Sequence, residues 1–153
     1  NLDPGYLRQS LHGEAYDAMV LEYGTNEGGD VQFDADRYAI DLNAALQNLR
    51  KVFPAASCVL VGPPDRGVLS RPGGGRVDLL RYSRNARQIT EAQARIGARF
   101  GCVEWNWQAL MGGEGGSYGW ALRRPPLMGP DLTHLTAAGY KLTGEALAHS
   151  LGF

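Results

Sequence analysis

Three short apolar runs constrain this chain more than any other feature: Ala18–Tyr23, Cys58–Val61 and Cys102–Trp105. Each is too short for a stable helix. Their apolar residues are largely continuous rather than alternating, the pattern of strands buried on both faces of a parallel sheet. Between the runs the spacing changes. Tyr38, Leu42, Ala45, Leu46, Leu49, Val52 and Phe53 keep a three-to-four spacing up to Pro54, behind Asp34 or Asp36 as cap. Leu79, Tyr82, Ala86, Ile89, Ile96 and Phe100 predict a second helix over residues 77–99. Strands separated by helices read as a parallel α/β sheet, because a parallel neighbour needs a long crossover. A short helix behind Asp3-Pro4, ended by Gly13, precedes the first strand. A last one starts near Thr136, with Leu142, Ala146, Leu147 and Leu151 predicted to point inward.

With 153 residues, the chain is long enough for one domain with a substantial core. A net charge of -1 argues against a nucleic-acid duplex or an anionic membrane surface as partner. Arg71, Arg76, Arg81, Arg84 and Arg87 form a local basic run, read as a solvated helix face because only Tyr82 interrupts it with an aromatic ring. No apolar run approaches the roughly 20 residues that span a bilayer. No signal peptide is visible, and a start at Asn1 is equally that of a mature or a truncated chain. Cys58 and Cys102 fit no metal spacing and read as small buried hydrophobes, with a disulfide left open. His12, His134 and His149 are scattered, so no metal site is expected, and no cofactor motif is present. The glycine-rich stretch 112–119 lacks the Gly-Lys-Ser/Thr of a phosphate cradle.

Ligands of open parallel sheets bind outside the carboxyl ends of the strands. Gly24-Thr25-Asn26-Glu27 lies at such an end, and the final loop Gly129-Pro130-Asp131-Leu132-Thr133-His134-Leu135-Thr136 can reach the same rim. A carboxylate three positions before a histidine can fix one imidazole tautomer and stabilise the imidazolium. An exposed Asn amide can donate to a developing oxyanion. Taken singly, each also has an ordinary structural reading: Asn26 as a turn residue, Asp131 as a turn carboxylate, His134 as a surface histidine.

Together the two stretches resemble two of the four sequence blocks of the SGNH (GDSL-type) esterases. The resemblance implies His134 as catalytic base, Asp131 as its orienting carboxylate and Asn26 as an oxyanion-hole donor. Glu27 stands where that family more often has Asp and reads as structural. The region Phe53-Pro54 to Asp65 and the segments around Trp105-Asn106-Trp107, Met111-Gly112-Gly113, Gly116-Ser117 and Trp120 look like the bacterial branch that removes O-acetyl groups from peptidoglycan and other polysaccharides. The likeness covers most of residues 17–153. It implies a flavodoxin-like three-layer α/β/α parallel sheet, with strands ordered 2-1-3-4-5 and the N-terminal strands absent from this chain. Residues 1–153 then form the C-terminal portion of a single SGNH hydrolase domain.

The family's Gly-Asp-Ser block is missing from the sequence. Ser10 follows no strand and Ser117 sits in a glycine loop, so neither resembles the nucleophile. The expectation is therefore a secreted or periplasmic acetylesterase whose serine comes from an N-terminal segment of the same precursor, acting on an O-acetylated carbohydrate. Trp120 is the candidate for stacking on a sugar ring, against the alternative that it is core. A non-catalytic carbohydrate-binding or assembly module of the same fold is the rival reading. A nucleotide binder is disfavoured, since no glycine-rich loop follows a first strand.

Overall fold

The computed structural model describes residues 3–12, 15–69 and 75–153. Gly13, Arg71 and Pro72 lie outside the described residues. In chain order the elements are α1 (Pro4–Ser10), β1 (Ala18–Glu22), α2 (Thr25–Gly28), α3 (Ala35–Val52), β2 (Ser57–Val61), α4 (Arg81–Arg99), β3 (Cys102–Trp105), α5 (Trp107–Leu110), α6 (Gly116–Ala121) and α7 (Ala137–Ser150). The three strands are parallel in the order β1-β2-β3, with Met19 opposite Cys58 and Cys58 opposite Cys102.

The caps follow the sequence. Asp3 accepts the N–H of Tyr6 at 2.7 Å with Pro4 opening α1. Asp34 accepts from the N–H groups of Asp36 and Arg37 at the start of α3. Thr136 accepts from the N–H of Gly139 at 3.2 Å and starts α7. Each such cap satisfies donors that the first helical turn leaves orphaned, typically worth ~1 kcal/mol.

The continuous apolar strands are covered on both faces. On one, Met19, Leu21, Cys58, Leu60 and Cys102 pack against Tyr38, Leu42, Leu46 and Leu49 of α3 and Ile89, Ala92 and Ile96 of α4. Leu46, Leu60 and Ile89 are fully enclosed, and burial of such side chains stabilises by roughly 1.5–3 kcal/mol each. On the other face, Val59, Val61 and Trp105 meet Trp107, Met111, Trp120, Met128 and Leu147. This is an α/β/α sandwich. Its second face is incomplete: Val20 and Val103 remain 54 % and 69 % exposed. Among the described residues β1 pairs only with β2, so its outer edge is open. No helix among the described residues is long and apolar enough to cross a membrane.

Two expectations are corrected. The second long helix starts at Arg81, not near residue 77, and Leu79 is exposed. Asp78 explains the late start: it accepts the N–H of Leu80 at 3.3 Å, an Asx turn that competes with helix. In α7 Gly139 and Thr143 are buried, and Ala146 and Leu147 are half-buried with Leu147 on the second core, while Leu142 and the C-cap Leu151 are each 37 % exposed. Backbone approach sets that orientation. A Cβ at Gly139 would lie 1.9 Å from the Leu127 carbonyl oxygen, so only glycine allows the first turn to seat there.

The cysteines, whose pairing the sequence leaves open, are both buried, and Cys58 and Cys102 are joined in a disulfide across β2 and β3. The bond closes a 44-residue separation that includes α4. Cys58→Ala/Cys102→Ala is expected to cost ~2–4 kcal/mol, or roughly 5–15 °C in Tm by calorimetry. An unchanged melt would show that the bridge constrains nothing the sheet does not already hold.

Candidate active site

Gly24 ends β1 with φ 104°, a conformation in which a side chain is strained. Packing makes the same demand, since a Cβ there would lie 2.5 Å from Ile89 Cγ2 of α4. Gln93, fully buried, donates to the Tyr23 carbonyl and to the Tyr38 hydroxyl, both at 2.9 Å. Asn85 donates to the carbonyls of Gly28 and Asp30 at 3.2 and 3.0 Å. The turn carrying Asn26 is thus clamped to α4 from both ends. Asn26 itself is exposed in α2, and its amide has no hydrogen-bond partner among the described residues. The amide N–H groups are free to donate outward.

The second block is equally braced. The N–H of Gly129 donates to the His134 carbonyl at 2.7 Å, and Met128 bridges Leu135 in antiparallel fashion, so residues 129–134 form a closed loop. At its tip Leu132 takes φ 55°, which costs a non-glycine residue about 1–2 kcal/mol. Burial of its side chain offsets that cost. Leu132 is 8 % exposed and lies over Gly67, where a Cβ would come within 2.8 Å of it. The N–H of Gly67 donates to the Leu132 carbonyl at 2.9 Å. Sequence reasoning did not single out Gly67, Asn85 or Gln93; a lone glycine in a loop and polar residues in a helix give no signal until the partner element is known.

Within this loop Asp131 Oδ1 accepts the N–H groups of Thr133 and His134, both at 3.0 Å. Its Oδ2 lies 2.6 Å from His134 Nδ1. The His134 side-chain bond, then the N–H of His134 and that of Thr133, hold the Asp131 carboxyl well below the usual carboxylate range. The sign follows. A depressed folded-state pKa stabilises above the unfolded carboxylate's pKa and loses that stabilisation as pH falls through the depressed value. Asp131 therefore remains an anion wherever an imidazole titrates. With Nδ1–H committed to Asp131, Nε2 is the basic nitrogen, on a side chain 76 % exposed.

Thr25 and Thr133, the residues before Asn26 and His134, line one small cleft together with Gly28, Pro64, Arg66 and Tyr82. The two blocks therefore neighbour each other at the carboxyl-end rim. Trp120 does not join them. It is 4 % exposed, packed with Val61, Trp107 and Met128, and offers no open ring face to a sugar. Ser117 is fully buried and gives its N–H to Asp65 Oδ2 at 2.9 Å, so it is a structural residue. Asp65, also fully buried, takes a further bond from Gln108 at 2.8 Å and ties the end of β2 to α5 and α6. Among the described residues no group of three or more His, Cys, Asp or Glu is placed to hold a metal ion.

Three parallel strands between two helical layers are the flavodoxin-like fold of the SGNH/GDSL-like hydrolases, whose N-terminal strands are lacking among the described residues. Solved structures agree. The chain is similar to a peptidoglycan O-acetylesterase at 26 % identity and a TM-score of 0.72, covering 88 % of this chain and 37 % of that one. It is also similar in fold to a lipase/acylhydrolase from Enterococcus faecalis, at 16 % identity and a TM-score of 0.60, covering 96 % of this chain and 67 % of that one. The chain thus spans well under half the length of the first of these. No family model matches it, and no curated protein matches it by sequence.

Proposed function

We propose that residues 1–153 are the C-terminal portion of a single SGNH-type serine esterase domain that removes O-acetyl groups from a polysaccharide such as peptidoglycan. The observation carrying this reading is the Asp131–His134 pair, with Nδ1 held at 2.6 Å and Nε2 left open on an exposed ring. In this reading His134 Nε2 takes the proton of a serine hydroxyl as the oxygen attacks the acetyl carbonyl. It later returns that proton to the leaving sugar hydroxyl. Asp131 fixes the tautomer and stabilises the imidazolium, and the Asn26 amide donates to the tetrahedral oxyanion.

The serine belongs to an N-terminal segment of the same precursor, whose strand pairs with the open edge of β1. Exposed Val20 and the free edge support that assignment, because soluble domains seldom leave an apolar strand edge unpaired. The Cys58–Cys102 bond favours an oxidising compartment, secreted or periplasmic. The test is acetate release by the complete protein from O-acetylated peptidoglycan, together with labelling by a serine-directed phosphonate. Release and labelling of a serine in the added segment are expected. Acetate release without labelling of that serine overturns the proposed nucleophile, and no release overturns the substrate.

A further inference from the structure

One wall of the cleft between Thr25 and Thr133 is formed by Arg66 and Tyr82, and Arg81, not itself a lining residue, stands against the same ring. The guanidinium carbons of Arg66 and Arg81 each lie 4.9 Å from the centre of the Tyr82 ring. Arg66 also packs against the backbone at Gly29, where a Cβ would come within 2.4 Å of its Nη1. The arginines that follow Arg81 in sequence behave differently. Arg84 is paired with Asp78, and Arg87 with Glu91 and Glu114 at 2.8 and 2.6 Å. Among the described residues no carboxylate comes within 4 Å of Arg66 or Arg81. The Nε–H of each is buried without a hydrogen-bond acceptor.

Two like charges gathered on one ring repel, and buried unpaired donors cost free energy. Cation–π contact offsets part of this, and the Tyr82 hydroxyl accepts from Arg81 Nη2 at 3.4 Å, but neither contact reaches the two Nε–H groups. Such an arrangement is suited to an incoming anion, and the planar guanidinium fork matches a carboxylate. The position matters as much as the charge. Arg66 and Tyr82 share the cleft with residues adjacent in sequence to Asn26 and His134, so an anion held there sits beside the ester being cleaved.

We propose that this cleft is a carboxylate subsite, which makes the preferred substrate an acidic O-acetylated glycan. The proposal rests on the esterase reading for its substrate. The carboxylate has two chemical sources, a uronic acid in the sugar chain or a peptide attached to it. Two substrate pairs separate them: an O-acetylated oligogalacturonide with free or reduced carboxyls, and an O-acetylated muropeptide with free or amidated carboxyls. With the complete protein, one free-acid substrate is expected to exceed its neutral counterpart in kcat/KM by about tenfold. That preference should shrink as salt is raised and vanish in Arg66→Gln/Arg81→Gln.

Ratios near one for both pairs in the unmodified protein overturn the subsite, and this arm depends on no variant folding. A preference that survives intact in the folded double variant also overturns it. If the complete protein releases acetate from none of these substrates or from an aryl acetate, the esterase reading fails instead. The subsite is then judged by equilibrium binding of the same oligosaccharides. Tighter binding of one free acid supports it, and equal affinity within each pair overturns it.

Discussion

In the complete protein, His134→Ala should lower acetyl-ester turnover by at least about 10³-fold, the scale on which a positioned general base acts. The fold should survive, because the His134 side chain is 76 % exposed and, among the described residues, bonds only to Asp131. Asn26→Ala should cost about 10²–10³ in kcat with little change in KM, as for an oxyanion donor used only in the transition state. Asp131→Asn is the sharper probe of mechanism. An asparagine oxygen can still accept the N–H groups of Thr133 and His134, so the loop geometry is retained. The anion that fixes the imidazole tautomer is lost, and about 10⁴-fold in kcat should go with it. Aryl acetate hydrolysis, read alongside circular dichroism, measures all three. Near-normal rates in His134→Ala and Asn26→Ala would remove the catalytic assignment and favour a binding module.

Much of this was legible in the sequence because local and global signals agree. Ala18–Glu22, Ser57–Val61 and Cys102–Trp105 carry continuous apolar runs, and a strand covered on two faces can be made in few other ways. Asp3, Asp34 and Thr136 are short polar acceptors standing before apolar periodicity, and each caps the helix it precedes. The Asp131–His134 contact was readable too, since three residues of a tight loop suffice to bring the side chains together.

What escaped the sequence depends on approach between distant elements. Trp120 presents the same letter whether it stacks on a sugar or fills the space between Val61 and Met128, and only the packing of α6 decides. Leu142 and Leu151 follow a plausible inward stripe, yet the close seat of Gly139 on Leu127 turns them outward. The basic run read as solvated also divides. Arg84 and Arg87 have carboxylate partners, whereas Arg81 shares Tyr82 with Arg66, a residue far outside the run.

These 153 residues expressed alone should release no acetate above background, and they should associate or melt without cooperativity. The free edge of β1 leaves a row of N–H and C=O groups without sheet partners, next to Val20 on the uncovered face. Excluding water from that face without supplying partners would cost roughly 1–3 kcal/mol for each unpaired group. Keeping the edge wet leaves Val20 in solvent and the strand open to pairing with another copy. Net domain stability is only about 5–15 kcal/mol, so a few such defects consume it. Beside α3 and the end of β1 there is also an open cleft of about 720 Å³, lined by Tyr23, Phe33, Tyr38 and Leu42, room that a packed segment can fill. In the proposed esterase, a strand added next to β1 removes the unpaired edge, and the serine following it reaches the rim where His134 stands. Folding and activity should therefore return together when the serine-bearing segment is supplied, as read by light scattering, calorimetry and acetate release on one sample. A monodisperse monomer of these residues that melts cooperatively and hydrolyses acetate unaided would mean that the edge needs no partner and the nucleophile lies within the chain.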